Sequence, residues 1–197
     1  MTAQIPDEVE YRAGRYAVTA VDGTGLFDPA RHGLEPQAMS TACWRGFICA
    51  YRVEQGVLRL SHLEIALDPV EGEAPLELFG RAGYRLPESG DVAHPEAWHY
   101  DPDAPVGFTG RLLLGDGDAA GPYLNMGFLP AWYYEDIREL TFTAGRLTAE
   151  SDLSASVARL RETLAEGGAQ PAPGESTREW VTRTFSLSFD YSLPNRE

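Results

Sequence analysis

The highest density of apolar residues lies in residues 41–67, which predict two strands joined by a tight turn at Gln55 and Gly56. Both faces of the first strand, residues 43–53, are largely apolar, and this is typical of a central strand covered on two sides. The Gln-Gly pair can supply the positive φ that a two-residue hairpin turn requires. The region therefore predicts a β-rich fold.

Other segments of the chain also carry strand patterns. The most regular alternation lies in residues 181–191, which predict a half-buried antiparallel strand. Residues 106–114 show a similar alternation. Further strands are predicted at residues 16–20, 123–129, 137–143 and 145–148, with short candidates at 76–79 and 84–86.

One amphipathic helix is predicted at about residues 152–166. Its apolar stripe consists of Leu153, Val157, Leu160 and Leu164. We expect a mainly β fold, an antiparallel sandwich or barrel of roughly eight to ten strands, with this helix packed on it. The 197 residues are expected to form a single domain, with an irregular insertion at about 68–105 and a helix-linker-strand extension at about 151–191.

Composition restricts the chemistry that the chain can perform. It carries 30 acidic and 16 basic residues, a net charge of −14, and every basic residue is arginine. A lysine Schiff base and a P-loop lysine are therefore excluded. The acidic charge argues against nucleic acid and is compatible either with a basic protein partner or with a role in solubility alone. The N-terminus lacks the apolar segment of a secretory signal, and no run approaches the ~20 apolar residues of a membrane helix, so we expect no membrane association and a cytoplasmic location.

The two cysteines are predicted to be buried, reduced thiols. Six residues of regular strand would place Cys43 and Cys49 about 20 Å apart, well beyond disulfide reach. A two-residue turn would place His62 opposite Cys49, with a register uncertainty of one residue. Such a pair is either a nucleophile dyad or, more commonly, a buried histidine beside a thiol.

Candidate metal ligands are few. His94, Glu96 and His99 form a weak cluster in a proline-rich segment, where exposed histidines are common. The Pro-Cys-x-x-Cys sequence that completes a zinc deaminase site is absent from the chain. We therefore predict no metal and no cofactor.

Three groups of residues resemble the motifs of a known family. The matching residues are Trp44, Arg45, Gly46, Phe47 and Tyr51; Phe108, Thr109, Gly110 and Leu112; and Met126, Gly127, Phe128, Tyr134, Glu135 and Asp136. They are similar to the motifs W-R-G-[YF]-x-x-x-[WY], W-F-[ST]-G-x-L and M-G-[YF] followed by Y-E-x-D-L in an uncharacterised family of small bacterial β-rich proteins. The chain departs from these motifs at Gln55, Gly107 and Asn125.

The resemblance brings no established activity, but it implies one structural constellation. Its members here are Arg45, Gly46, Gly110, Tyr134 and Glu135. Because a buried arginine requires a carboxylate partner, we expect an ion pair between Arg45 and either Glu135 or Asp136.

These observations favour a non-enzymatic, acidic, cytoplasmic protein-binding module, of which an immunity-type or accessory protein is one form. No catalytic residue is predicted. The candidate binding residues are Trp44, Arg45, Tyr51, Phe108, Trp132, Tyr133, Tyr134 and Glu135. For the aromatic run at 132–134, core packing is the favoured role, with one or two rings exposed for contact.

Two alternatives stay open. The first is a small-ligand-binding β-barrel whose pocket is lined by Trp44, Tyr51, Phe108, Trp132 and Tyr134. The second is a hydrolase-like enzyme with an unrecognised site. A pocket that places His62 or His99 beside a carboxylate would favour that enzyme.

Overall fold

The computed structural model describes residues 2–68, 77–87, 94, 96–118, 126–163 and 174–194. The strands are β1 (Glu8–Tyr11), β2 (Gly14–Thr24), β3 (Phe47–Glu54), β4 (Val57–Ile65), β5 (Trp98–Tyr100), β6 (Ala104–Pro105), β7 (Thr109–Asp118), β8 (Tyr134–Thr143) and β9 (Arg146–Asp152). The helices are α1 (Ser154–Thr163), α2 (Thr177–Thr184) and α3 (Phe189–Ser192), with 3₁₀ turns at Pro29–His32 and Ala131–Tyr133. The predicted mainly β fold with a packed helix is confirmed.

The sheet closes into a barrel-like ring. The order β3-β1-β2-β7-β8-β9-β4 returns to its start because β3 and β4 also pair as the predicted hairpin. Within the described strands the pair β1–β3 is parallel, and the other neighbours in the ring are antiparallel. Strictly alternating directions cannot close a ring of seven strands, so this parallel pair is what allows closure.

The edge of β4 that faces away from β3 pairs with three strands in succession. Nearest the hairpin turn it pairs with β9 through Val57 and Arg146, next with β6, and finally with β5. An isolated bridge between Tyr84 and His99 then continues the sheet beyond β5. The wall at β4 and β5 is therefore built partly from the segment predicted to be an irregular insertion.

A bulge at Ser61 sets which β4 side chains face the core. The register runs Tyr51 opposite Leu60, then Ala50 opposite His62, so Ser61 is an extra residue. As a result Cys49 lies opposite Leu63, and the Cys49–His62 pairing expected from a regular hairpin is not formed. The imidazole of His62 instead projects from the outer face of the barrel.

Both cysteines are buried free thiols, as predicted. Only Cys49 lies in a strand, however, because β3 begins at Phe47 and Cys43 belongs to the preceding turn. Gly46 ends that turn with φ +75, and a Cβ at this position would overlap the backbone carbonyl of Gln37. The glycine therefore permits the sharp entry into β3.

Two hydrophobic layers stabilise the fold. The barrel interior is filled by strand residues such as Tyr51, Leu63 and Phe142, together with Phe108 just before β7. A second cluster lies outside the barrel, where β2, β7 and β8 are covered by Ala131–Tyr133, α1 and α3. Val157 of the predicted helix is fully buried in this outer layer.

The strand predicted at residues 181–191 is wrong, because this segment forms the second half of α2 and all but the last residue of α3. Ser176 and Glu179 make a reciprocal capping box at the start of α2, and Ser188 caps α3. These local hydrogen bonds favour helix over the alternating side-chain pattern. The strand predicted at 123–129 shows only a bridge at Gly127 within its described part, 126–129, and its first three residues lie outside the described chain.

Helix α1 begins two residues after the predicted start. Asp152 accepts a hydrogen bond from the Ser154 N–H at 3.0 Å, which supports the first turn. The pKa of the Asp152 carboxyl is lowered by hydrogen bonding from the Ser154 side chain first and from its backbone second. The predicted residues 164–166 lie outside the described chain. Among the helices described, none combines the length and apolarity needed to cross a membrane.

Candidate functional site

Arg45 forms a partly buried ion pair with Asp7. The guanidinium Nη1 and Nη2 donate to the two carboxylate oxygens at 3.0 and 2.6 Å, and the Cys49 N–H donates to the same carboxylate at 2.6 Å. The predicted ion pair of Arg45 with Glu135 or Asp136 is therefore wrong. The physical requirement for a carboxylate holds, but the residue just before β1 supplies it, and the parallel pairing of β1 with β3 brings it close to Arg45.

Two aromatic rings enclose the Arg45 guanidinium. Its central carbon lies 4.8 Å from the centroid of Phe47 and 5.7 Å from that of Phe128. Burial acts to lower the pKa of Arg45, but the charge and hydrogen bonds of Asp7 outweigh it, and the pKa is raised. The arginine is thus a fixed cation that braces residues 43–49.

The neighbouring Trp44 is 64% exposed and yet held in place. Its indole Nε1 donates to the carbonyl of Thr41 at 2.9 Å, and its backbone N–H donates to Oε1 of the buried Gln4 at 3.2 Å. The Gln4 side chain also donates to the Thr41 carbonyl. We call Trp44, with Thr41 and Arg45 on either side of it, the Trp44 surface.

The predicted pocket aromatics lie in separate parts of the molecule. Tyr51 and Phe108 are packed in the barrel interior, whereas Trp132 is 2% exposed in the outer hydrophobic cluster together with Tyr134. Trp44 is on the surface. Within the described residues these five side chains therefore do not line one common cavity.

The remaining predicted binding residues lie at the start of β8. Tyr133 and Tyr134 are half-buried, and Glu135 is exposed close to Gly117. Burial, followed by the charge of Asp118, raises the pKa of Tyr134 to about 12. Its ring packs over Gly115, so this tyrosine belongs mainly to the outer hydrophobic layer.

Sequence reasoning named His62 and His99 but missed their partners, with which they form a cluster on the outer face of β4 and β5. His62 Nδ1 is 2.7 Å from Asp101 Oδ1, and the hydroxyl of Tyr84 donates to Asp101 Oδ2 at 2.8 Å. His99 Nδ1 is 3.2 Å from His62 Nε2. The ring of Tyr84 stacks on that of His99 with centroids 5.7 Å apart. We call these four residues the histidine cluster.

The electrostatics of the histidine cluster follow from its hydrogen bonds and burial. Partial burial acts to raise the pKa of Asp101, but the hydrogen bonds from His62 and Tyr84 outweigh it, and the pKa is lowered. Burial and the bond to Asp101 raise the pKa of Tyr84 to about 12. Burial lowers the pKa of His99, which is 5% exposed. Its Nε2 is buried without a hydrogen-bond partner in the described chain.

The weak metal candidates do not converge on one point. His94 is buried, Glu96 is exposed, and His99 directs Nδ1 toward His62. Across the residues that the structure describes, no group of three histidine, cysteine or acidic side chains could hold a metal ion.

The two thiols are protected rather than reactive. Burial is the main cause that raises the pKa of both Cys43 and Cys49, so the nucleophilic thiolate form is disfavoured. The spacing of the interior leucines could have shown that His62 points away from Cys49. Nothing in the sequence pairs Tyr84 or Asp101 with the histidines, because both lie in irregular segments.

Comparison with known proteins gives no further guide. No family model matches the chain, and searches of curated proteins and of solved structures each return no significant match.

Proposed function

We propose that the protein is an acidic, cytoplasmic, non-enzymatic binding module that docks a basic protein partner through the Trp44 surface. The observation that carries this proposal is a tryptophan that is 64% exposed and still hydrogen-bonded through both its backbone and its indole. Tryptophan is the largest side chain, so an exposed tryptophan can bury a large apolar area when a partner binds.

Rigidity supports the same function. A side chain fixed before binding loses little rotamer freedom when the partner arrives, so more of its contact energy appears as affinity. The Arg45–Asp7 ion pair and the Phe47 and Phe128 rings hold the backbone beside Trp44. This arrangement is typical of a preorganised contact residue.

The charge of the chain favours a basic partner. A net charge of −14 with no lysine produces a negative field that speeds the encounter with positively charged proteins and disfavours acidic ones. An immunity-type or accessory protein that neutralises a basic protein fits this description. Membership of the small bacterial β-rich family whose W-R-G motif coincides with Trp44, Arg45 and Gly46 is part of the proposal.

The test is affinity purification from a native lysate of the source organism with three baits: wild type, Trp44→Ala, and Leu86→Ala as a matched control. Leu86 is also exposed, at 37%, but belongs to a different segment. We expect one basic protein to be captured by the wild type and the control. With the purified partner, Trp44→Ala should weaken binding about 30-fold.

Salt separates a charge-steered complex from an apolar contaminant. Raising NaCl to about 0.5 M should slow association with the partner, because the Debye length then falls well below 10 Å. A captured protein that is acidic, or one that binds Trp44→Ala as tightly as wild type, would overturn the proposal.

A further inference from the structure

The histidine cluster is a linear chain of hydrogen bonds that ends at a nitrogen with no partner among the residues that the structure describes. It runs from Asp101 through His62 to His99, and it ends at His99 Nε2. An unsatisfied polar atom in a side chain that is 95% buried costs stability, so its presence requires an explanation. The proton positions along the chain supply one.

Each proton position follows from the one before it. Asp101 is ionised near neutral pH because its pKa is lowered, so its carboxylate accepts and His62 Nδ1–H donates. In a neutral ring His62 Nε2 is then the acceptor, and His99 Nδ1–H must be the donor. His99 Nε2 is left with a bare lone pair. Both histidines therefore hold the Nδ1–H tautomer.

We propose that the histidine cluster is a one-proton relay, in which a proton taken up at His99 Nε2 moves the Nδ1 proton of His99 to His62 Nε2. The step balances, because one N–H bond forms at His99 Nε2, one breaks at His99 Nδ1, and one forms at His62 Nε2. His99 remains neutral with its tautomer exchanged. The positive charge resides on His62, 2.7 Å from Asp101.

The groups that face the relay explain why the charge moves. His62 has a side chain 36% exposed and a carboxylate in direct contact, whereas His99 is nearly enclosed. Glu64 of β4 lies directly opposite His99 of β5, so its carboxylate repels the bare lone pair and favours the protonated Nε2. Tyr84, which bridges to the edge of β5, donates to the other oxygen of Asp101 and stacks on His99.

The relay gives the outer wall a response to acidification. Proton uptake converts the hydrogen bond between a neutral His62 and the charged Asp101 carboxylate into an ion pair, which is stronger. Since Asp101 also holds Tyr84, the connection between β4 and the segment that contains Tyr84 tightens on acidification.

The test is long-range ¹H–¹⁵N correlation spectroscopy of the imidazole rings, from about pH 8.5 to pH 5. At high pH we expect a protonated Nδ1 and a bare Nε2 in both His62 and His99. On acidification His99 should exchange its tautomer while His62 becomes protonated on both nitrogens. Double protonation of His99, or an Nε2–H tautomer in either ring at high pH, would overturn the relay.

Three variants give independent readouts. In Asp101→Asn the pH midpoint of proton uptake should fall by about one unit, since the stabilising charge is lost. Asp103→Asn is the matched control, because Asp103 contacts Arg52 and Arg59 rather than the histidines, and it should leave the midpoint unchanged. In His62→Gln the tautomer exchange of His99 should disappear. An unchanged midpoint in Asp101→Asn, or a persistent exchange in His62→Gln, contradicts the proposal, and Asp101→Asn decides it if His62→Gln does not fold.

Discussion

The outer surface of the barrel is covered in two different ways. On one side Ala131–Tyr133, α1 and α3 cover β2, β7 and β8 with apolar side chains, and the Ala131 N–H is satisfied by Ser192 Oγ at 2.6 Å. On the other side β4 and β5 are covered by Tyr84, and the side chains beneath it are polar and titratable. Among the described residues each cover leaves a buried polar atom without a partner, namely the hydroxyl of Tyr191 in α3 and Nε2 of His99 in β5. The difference is that His99 belongs to a hydrogen-bonded chain of titratable side chains.

The difference indicates which face can change state. Burial of apolar area is insensitive to pH, so the helix-covered face contributes a constant stabilisation. A hydrogen-bonded chain of histidines has alternative proton arrangements of similar free energy, so its structure depends on conditions. The first face therefore maintains the fold, and the second is the place where a response can be built.

The largest effect that we expect is from Trp132→Ala. Trp132 is 2% exposed in the helix-covered face, and its loss should reduce the free energy of unfolding by about 3–5 kcal/mol through lost burial and a cavity. Trp44→Ala is the matched control, since it removes an exposed tryptophan and should cost less than about 1 kcal/mol. Urea unfolding measures both. Equal effects would show that Trp132 does not contribute to packing and would remove the basis of the comparison.

The hairpin at the centre of the fold was predictable because its apolar residues are dense and its turn is short. The register was not, although the signal exists: Leu58 and Leu60 share one parity, while Leu63 and Ile65 share the other. A strand that keeps all four inside must contain an extra residue between them, and the bulge is at Ser61.

The sequence also indicated that Arg45 needs a carboxylate, but it did not identify Asp7. Asp7 lies just before β1, and the β1–β3 pairing that brings it close is a long-range parallel contact with no local signal. The same limit applies to the histidine cluster, because Asp101 follows a three-residue strand and Tyr84 is joined to it by a single bridge. In residues 181–191 capping overrode the alternating pattern.

A second prediction concerns the polar groups of the helix-covered face. Ser192→Ala removes the acceptor of the Ala131 N–H and leaves that donor buried, which should cost about 2 kcal/mol. Ser156→Ala, on an exposed position of α1, is the control and should change the free energy of unfolding by less than about 0.5 kcal/mol. A cost for Ser192→Ala no larger than the control would show that water already satisfies this donor.

The third prediction concerns a buried polar side chain in the face covered by Tyr84. His99→Phe replaces an unpaired polar ring with an apolar ring that can still stack on Tyr84. The lost bond to His62 Nε2 is compensated by water, because His62 is partly exposed, so stability should change by less than about 1 kcal/mol at pH 8. Thermal or urea unfolding provides the measurement. A loss as large as that of Ser192→Ala would show that His99 stabilises the fold as firmly as the helical cover does.

The smallest predicted effect compares one tyrosine from each face at alkaline pH. Tyr84 and Tyr134 both have a pKa of about 12, raised mainly by burial and then by Asp101 and Asp118 respectively. Because the folded state favours the neutral phenol, each contributes stability that is fully present below pH 10, the ordinary tyrosine pKa, and is lost as pH rises from 10 to about 12.

Tyr84→Phe and Tyr134→Phe should each make the decline of unfolding free energy with pH shallower in that window, since each removes one late-titrating group. The change should be smaller for Tyr84→Phe because Tyr84 is 39% exposed and solvent screens its interaction with Asp101, whereas Tyr134 is packed against the outer hydrophobic layer. Urea unfolding at several pH values between about 9 and 12 measures the two slopes. If Tyr84→Phe has the larger effect, the cover over β4 and β5 excludes water better than the helices do, and the contrast between the two faces is reversed.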